Sequence, residues 1–493
     1  SSGANGGKSP INIGVIFDDG VKLEEIKYNG GGTNQEGNIA VATVKDNSGV
    51  NVQAVDTVLG FDVARVTLTE EKTTKAGAIN GGTGNGYTTY FVGSARSMGI
   101  LEADQVVMAS AVTLNLDLYL ANFNSLNKRM GELRDNANAH GVWARVFNGA
   151  QSNDFGLGTK SNYTTVQAGY DYAFGFEGAN NYVGFALSYA YSHSLSLNQA
   201  TSQINGETVA RKLNDISSNG VELAIYSSYV QDSGWYNDSI AKFSYIMSSF
   251  SVEDSKNNLV RSNNKTDNFA LTLSDEFGYR FKLGSDDEWN IDPQVEVGLG
   301  YFNQSDFKQV LKNTSQYAHV YLDGIADAVF NLRSRVGASF GYDFKQFIDH
   351  QDIKASLYMG AFYEYDYLSG GDVKLTSNQG TTDTRSSDLS SDHRFVLNIG
   401  TNIQAHENVR VYFDFERSFG GKINTDYQVN LGARYSFGEN TGYTPVSETS
   451  SARGSAPLKL KEDENTENNT QESQDMTQTQ GEIQGTTQGI QAQ

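Results

Sequence analysis

Strand after strand in the last third of this chain, apolar and polar residues alternate, and no stretch is long and apolar enough for a membrane helix. In TDYQVNLGARYSF, Tyr427, Val429, Leu431, Ala433, Tyr435 and Phe437 point one way, and Gln428, Asn430, Gly432, Arg434 and Ser436 point the other. In the preceding NVRVYFDFERSF, Val409, Val411, Phe413 and Phe415 oppose Arg410, Tyr412, Asp414 and Glu416. A soluble sheet rarely sets Arg, Asp and Glu along one face and aromatics along the other for strands this long. A transmembrane barrel needs that pattern, with lipid outside and water or a polar plug inside. The expected fold class is therefore all-β, an antiparallel transmembrane β-barrel.

Composition narrows the function. Acidic residues number 58 against 37 basic, a net charge of −21, which disfavours nucleic acid as a partner. Without cysteine there is no disulfide scaffold, thiolate metal site or cysteine nucleophile, as suits an oxidising bacterial envelope. Tyr (27), Phe (26) and Gly (51) are abundant and Pro is scarce (4), which fits long curved strands with aromatic girdles. The opening SSGANGGKSP has neither a positive n-region nor an apolar h-region, so the chain is expected to be the C-terminal part of a longer precursor. The most apolar stretch, Val106 to Phe123, carries Thr113, Asn115 and Asp117 and is a poor lipid-spanning helix.

Four regions are expected. Residues 1–97 read as short β segments between Gly/Asn/Asp turns (INIGVIF, NIAVATVK, YTTYFVGSA), the end of a β-solenoid or a small sandwich. Residues 98–139 centre on Leu101–Asp135, which lacks Gly and Pro until Gly131 and reads as one long helix. Residues 140–437 hold about twelve strands, an even count, as a closed single-chain barrel requires. Short turns (Asp232-Ser233, Gly284–Asp287, Glu407) interleave with long loops (Asn198–Ile216, Ser305–Ala326, Ser369–Ser391). Residues 438–493 are rich in Gln, Thr, Glu and Asn and are expected to be disordered.

Alternation puts Arg145, Lys242, Arg280, Arg333, Arg335, Lys354, Arg394, Arg410 and Arg434 on the lumen side. The acids there are Asp238, Glu276, Glu296, Glu364, Asp366, Asp414 and Glu416. The histidines (His140, His193, His319, His350, His393, His406) lack ligand spacing, so no metal and no cofactor is expected. The glycines of Ile79–Gly86 lack the strand-to-helix context of a phosphate loop and read as a turn.

The run FNSLNKRMGELRDNANAHGVWARVFNG (Phe123–Gly149) resembles the linker and first strand of autotransporter translocator domains, within them most nearly the serine protease autotransporters of enteric bacteria. Looser similarity runs over Leu101–Phe437, through DSGWYNDSIAKF, EFGYRF, DPQVEVGLGY, ENVRVYFDFERSFGGK and ARYSF. Residues before Leu101 are not covered, and no GDSGS-type protease motif is present. The resemblance implies a barrel that carries an N-terminal passenger across the outer membrane and keeps a helix threaded through its pore. It implies membrane lipid, the barrel assembly machinery and periplasmic chaperones as partners, and a monomeric barrel; the passenger's extracellular ligand is not implied. Lys128, Arg129, Glu132, Arg134 and Asp135 at the helix end would find ion-pair partners in the lumen.

In such relatives the passenger is freed inside the barrel between two Asn residues just before LNKRM. The matching pair here is Asn124-Ser125, a departure at the second position. The chemistry needs the first Asn, whose side-chain nitrogen attacks its own backbone carbonyl, and a carboxylate to take the proton. The relatives' lumen acids match Asp238, Glu276 and Glu296. The alternatives are an uncleaved surface anchor for an adhesin-type passenger, in which these acids only pair arginines, and a diffusion porin. Relatives end at the terminal aromatic, here Phe437, whereas this chain carries on into a tail expected on the periplasmic side.

Overall fold

In the computed structural model, which describes residues 10–75, 78–79, 86–123, 133, 136–254, 259–311, 319–344 and 353–446, the alternating segments become twelve barrel strands. They are β1 (Asn138–Asn153), β2 (Thr159–Phe176), β3 (Ala179–Ser196), β4 (Glu207–Gln231), β5 (Trp235–Asp254) and β6 (Leu259–Tyr279). There follow β7 (Trp289–Phe302), β8 (Val329–Phe344), β9 (Lys354–Gly370), β10 (Asp392–His406), β11 (Val409–Phe419) and β12 (Ile423–Asn440). Each pairs antiparallel with its sequence neighbour, and β12 returns to β1, Leu431 opposite Val146, so the sheet closes and no edge is left. Every strand expected from alternation is present. Some run further: β4 begins at Glu207 rather than Ser217, because the ladder with β5 continues past the point where alternation fades.

The faces sort as lipid requires. Leu187 and Ile225 on the outside are 58% and 62% exposed, whereas Asp366 and Arg434 on the inside are 0% and 1% exposed. A water-soluble fold inverts that order. Outward aromatics cluster toward the short-turn end, where Trp235 stacks on Phe277 at 4.9 Å and Trp289 on Phe340 at 5.2 Å, a girdle at one membrane boundary. No helix among the described residues is long and apolar enough to cross a membrane, which says nothing of strands.

At the other end two long loops do something that alternation does not announce. Ser305–Val310 and Tyr321–Ala326 from one loop join Val373–Ser377 and Thr382–Arg385 from the other in a four-stranded sheet. N-terminal to the barrel lies a second sheet, in which Asp62–Lys75 and Tyr87–Ile100 form an antiparallel pair flanked by Ala40–Lys45 and Thr57–Leu59. A parallel pair, Ile11–Gly14 with Val52–Val55, completes this unit.

The described part of the expected helix is one helical run with a local irregularity at Val112, whose backbone angles stay helical (φ −61°, ψ −31°). α1 (Glu102–Ala111) and α2 (Thr113–Ala121) meet at Val112, where the Thr113 hydroxyl donates to the Ser110 carbonyl at 2.8 Å. A side chain that competes for a helical carbonyl in this way loosens the ladder locally without ending the helix. The rest of the expected helix, including Lys128, Arg129, Glu132, Arg134 and Asp135, lies outside the described residues, apart from Leu133. Of the expected lumen cations, Lys354 is exposed instead, since it is the first residue of β9 and sits at the wet rim.

Of the tail 438–493, only residues 438–446 lie among those described, and they are ordered. Beyond β12 the chain turns back against the barrel mouth: the Thr441 amide donates to Ala137 O at 3.0 Å, the Thr444 amide to Phe176 O at 3.1 Å, and the Gly178 amide to Thr444 O at 2.7 Å. Tyr443 is buried and its hydroxyl donates to Asp232 at 2.5 Å. The strap lies so close to β2 that a Cβ at Gly175 would collide with the Tyr443 backbone. Gly175→Val is expected to eject it, raising hydrogen exchange at the Thr444 amide by roughly tenfold or more while the barrel ladders keep their protection.

Candidate functional site in the barrel lumen

α2 is buried on every side, so its polar residues must find partners in the wall. They do. Asn115 donates to Asn268 Oδ1 at 2.9 Å and accepts from Ser248 at 2.5 Å. Asp117 accepts from Thr159 at 2.6 Å and from Asn153, and its carbonyl accepts from Gln151 at 3.1 Å. The Tyr119 and Thr272 hydroxyls pair at 2.8 Å. Asn115 and Asp117, two of the residues that made Val106–Phe123 a poor lipid-spanning helix, are thus among those that seat it inside a polar pore.

The last turn is pinned. Asn122 Oδ1 accepts from Thr165 at 2.7 Å, and its carbonyl accepts from Lys242 Nζ at 3.3 Å. The Phe123 ring lies 4.9 Å from the Arg333 guanidinium and 5.4 Å from Lys242 Nζ. A Cβ at Gly298 would strike that ring, so glycine is what lets it reach the wall.

Asp238, Glu276 and Glu296 come together. Asp238 on β5 is directly opposite Glu276 on β6, which is directly opposite Glu296 on β7. Opposed residues in antiparallel strands have Cβ atoms about 5 Å apart. The row continues with Arg335 opposite Glu296, Glu364 opposite Arg335 and Arg394 opposite Glu364, a charged belt across six neighbouring strands. Glu296 lies two residues from Gly298 on the same face, on the short-turn side of Phe123. Leu133 lies beyond the acids, packed with Trp143, Tyr182, Tyr226 and Tyr236, its carbonyl accepting from Tyr182 at 3.2 Å. The trio therefore occupies the layer between two fixed points of the linker, Phe123 and Leu133. Asn124 and Ser125 themselves lie outside the described residues.

The two halves of the belt differ. Arg333 grips Asp366 with two bonds of 2.8 and 2.9 Å. Arg394 reaches Asp366 at 2.6 Å and Asp392 at 3.0 Å and also pairs with Glu364. That half is a tight structural network. On the other half Arg335 stands 3.9 Å from Glu276 and 3.8 Å from Glu296, too far for strong hydrogen bonds. Glu276 Oε1 accepts from Tyr236 at 3.0 Å, Glu296 Oε1 accepts from Ser274 at 3.0 Å, and Asp238 accepts from Ser228. Glu276 Oε2 has no hydrogen-bond partner among the described residues. Among the described residues, Glu276 and Glu296 face Arg335 across longer gaps than those that join Asp366 to Arg333 and Arg394.

Tyr236, Ser228 and Ser274 escaped the sequence reading. Tyr236 and Ser274 share the strand parity of Asp238 and Glu276, so alternation held a signal, but no charge drew attention to it. Among the described residues no group of three or more His, Asp and Glu could hold a metal ion. Asp366→Ala strands Arg333 and Arg394 without their shared carboxylate, a loss of about 3–5 kcal/mol. A lower temperature for the heat-induced mobility shift of the folded barrel on gels is the expected result.

A sequence model described as the autotransporter beta-domain matches residues 142–416. Serine protease EspC of Escherichia coli O127:H6 is 30% identical over 331 residues, covering 65% of this chain and 22% of EspC. The serine protease pet autotransporter of Escherichia coli O44:H18 is 29% identical over 323 residues, with 65% and 22% covered. The chain thus spans about a fifth of the length of these relatives. Among solved structures, the beta domain of the Bordetella autotransporter Brka is 20% identical with a TM-score of 0.46, covering 61% of this chain and 100% of that one. The chain belongs to the autotransporter family, and its barrel is that family's outer-membrane β-domain.

Proposed function

We propose that this translocator severs its own linker inside the barrel, at Asn124-Ser125, once the passenger has crossed. The observation that carries the reading is the acid trio itself, Asp238, Glu276 and Glu296 opposite one another on three neighbouring strands in the lumen layer next to Phe123. The Asn124 side-chain nitrogen attacks its own backbone carbonyl carbon; a bond forms to that carbon and the peptide bond to Ser125 breaks. A lumen carboxylate takes the proton from the amide nitrogen, and the departing Ser125 nitrogen gains one. The products are a C-terminal succinimide and a free amine, with no oxidant and no cofactor. Confinement of the linker supplies the near-attack geometry. Residues 1–97 are then the end of the passenger, 98–139 the linker, 140–437 the barrel, and the chain after it lies in the periplasm. Assembly would use the barrel assembly machinery and periplasmic chaperones.

A second reading, an uncleaved anchor for an adhesin-type passenger, is favoured by the contacts between the N-terminal sheet and the barrel loops. A pulse-chase separates the two. Under self-cleavage the labelled outer-membrane chain shortens to a barrel fragment; under simple anchoring its length never changes.

A further inference from the structure

We infer that scission does not free the passenger end: residues 10–123 stay seated on the barrel as a non-covalent stopper. Its docking surface is the four-stranded loop sheet together with the upper lumen, and its partner is this chain's own severed N-terminal part. The inference rests on the self-cleavage reading.

Three sets of contacts carry it, all N-terminal to the proposed cut. In the first, the loop sheet clasps the N-terminal unit. The Leu23 amide donates to Gln379 Oε1 at 3.0 Å, and Gln379 Nε2 donates back to Val21 O at 2.7 Å. Lys22 Nζ donates to Asn378 O, and the Ile100 amide donates to Asp383 Oδ2 at 2.7 Å. Second, an apolar core crosses the junction, with Phe61, Ile100 and Leu101 buried in one cluster with Val320, Leu322, Val373 and Leu375 of the loops. In the third, the helices are tied to the wall. The Ala103 amide donates to Ser202 at 2.8 Å and Asp104 pairs with the buried Arg211 at 3.2 Å, before α2 adds the lumen bonds described above.

A break after Asn124 removes none of these. Departure of the stopper would strip water-excluded apolar surface and leave Arg211, Asn268 and Thr159 without their helix partners, and buried groups orphaned in that way are costly. The dissociation rate is therefore set by the whole junction and not by the cut.

Outer membranes are sedimented, washed in high salt, and warmed stepwise in detergent. Salt weakens exposed ion pairs but not an apolar core. The expected result is an N-terminal fragment that sediments with the barrel through the washes and separates only on heating. In the double variant Gln379→Ala/Asp383→Ala it should shed several-fold more fragment into the wash. Finding the wild-type fragment in the medium or first wash overturns retention and leaves self-cleavage standing. Absence of any fragment fails self-cleavage instead, and docking is then read in the uncut chain by hydrogen exchange. Protection of the Leu23 and Ile100 amides, lost by roughly tenfold in the double variant, upholds the docking surface. Exchange there at free-chain rates overturns it.

Discussion

Asn124→Asp is expected to leave the chain uncut in the outer membrane, with barrel assembly intact. Aspartate keeps the shape of asparagine but removes the amide nitrogen that closes the ring. The same pulse-chase should show Asp238→Asn, Glu276→Gln and Glu296→Gln slowing the conversion. Loss of a positioned general base costs roughly 10²–10⁴ in rate. Glu276 is the informative member, because it stands opposite both of the others. Its replacement removes either the base or the neighbour that shares the proton, so a large effect is expected in both cases. Asp366→Ala acts on the tight half of the belt, so it should lower the unfolding temperature more than it slows cutting. Chain shortening at the wild-type rate in Asn124→Asp would end the cleavage proposal.

Deletion of Leu101–Asn124 is expected to turn a nearly silent barrel into a conducting pore. A twelve-stranded barrel has a lumen wide enough for a helix. α1 and α2 fill its upper part, with all nine residues of α2 buried. Without them the inner face of Asn268, Thr272, Thr159 and Gln151 is left to water. Planar-bilayer recording of the full chain should show little current, and the deletion variant should show large steps. Equal conductance in the two would mean that the helix does not block the pore.

Much of this was written in the alternation. A lipid-facing barrel must differ on its two faces at every second residue, so strand positions and the lumen identity of Arg434, Asp366 or Glu276 follow from parity; the grouping of Asp238, Glu276 and Glu296 was implied by the resemblance, and their opposition comes from the register. What parity cannot carry is pairing between distant loops. Tyr321–Ala326 meets Val373–Ser377 across an intervening hairpin of the barrel, and short polar-rich strands announce no partner. The helix from Glu102 to Ala121 follows from a run free of Gly and Pro, and the irregularity at Val112 sits beside one hydroxyl, Thr113, that bonds back to Ser110. The strap was hidden by the composition of the tail around it; Tyr443, a lone aromatic beyond the last strand, was its visible mark. Lys354 shows the limit of parity at a strand's first residue, where inward no longer means enclosed.

On this reading the lumen that holds the linker also cuts it. N-terminal sequencing with intact-mass measurement of the wild-type barrel, purified from outer membranes and heated to part it from anything bound, asks this directly. The expected result is a polypeptide beginning at Ser125. A single polypeptide running unbroken through Phe123, Asn124 and Ser125 would contradict it.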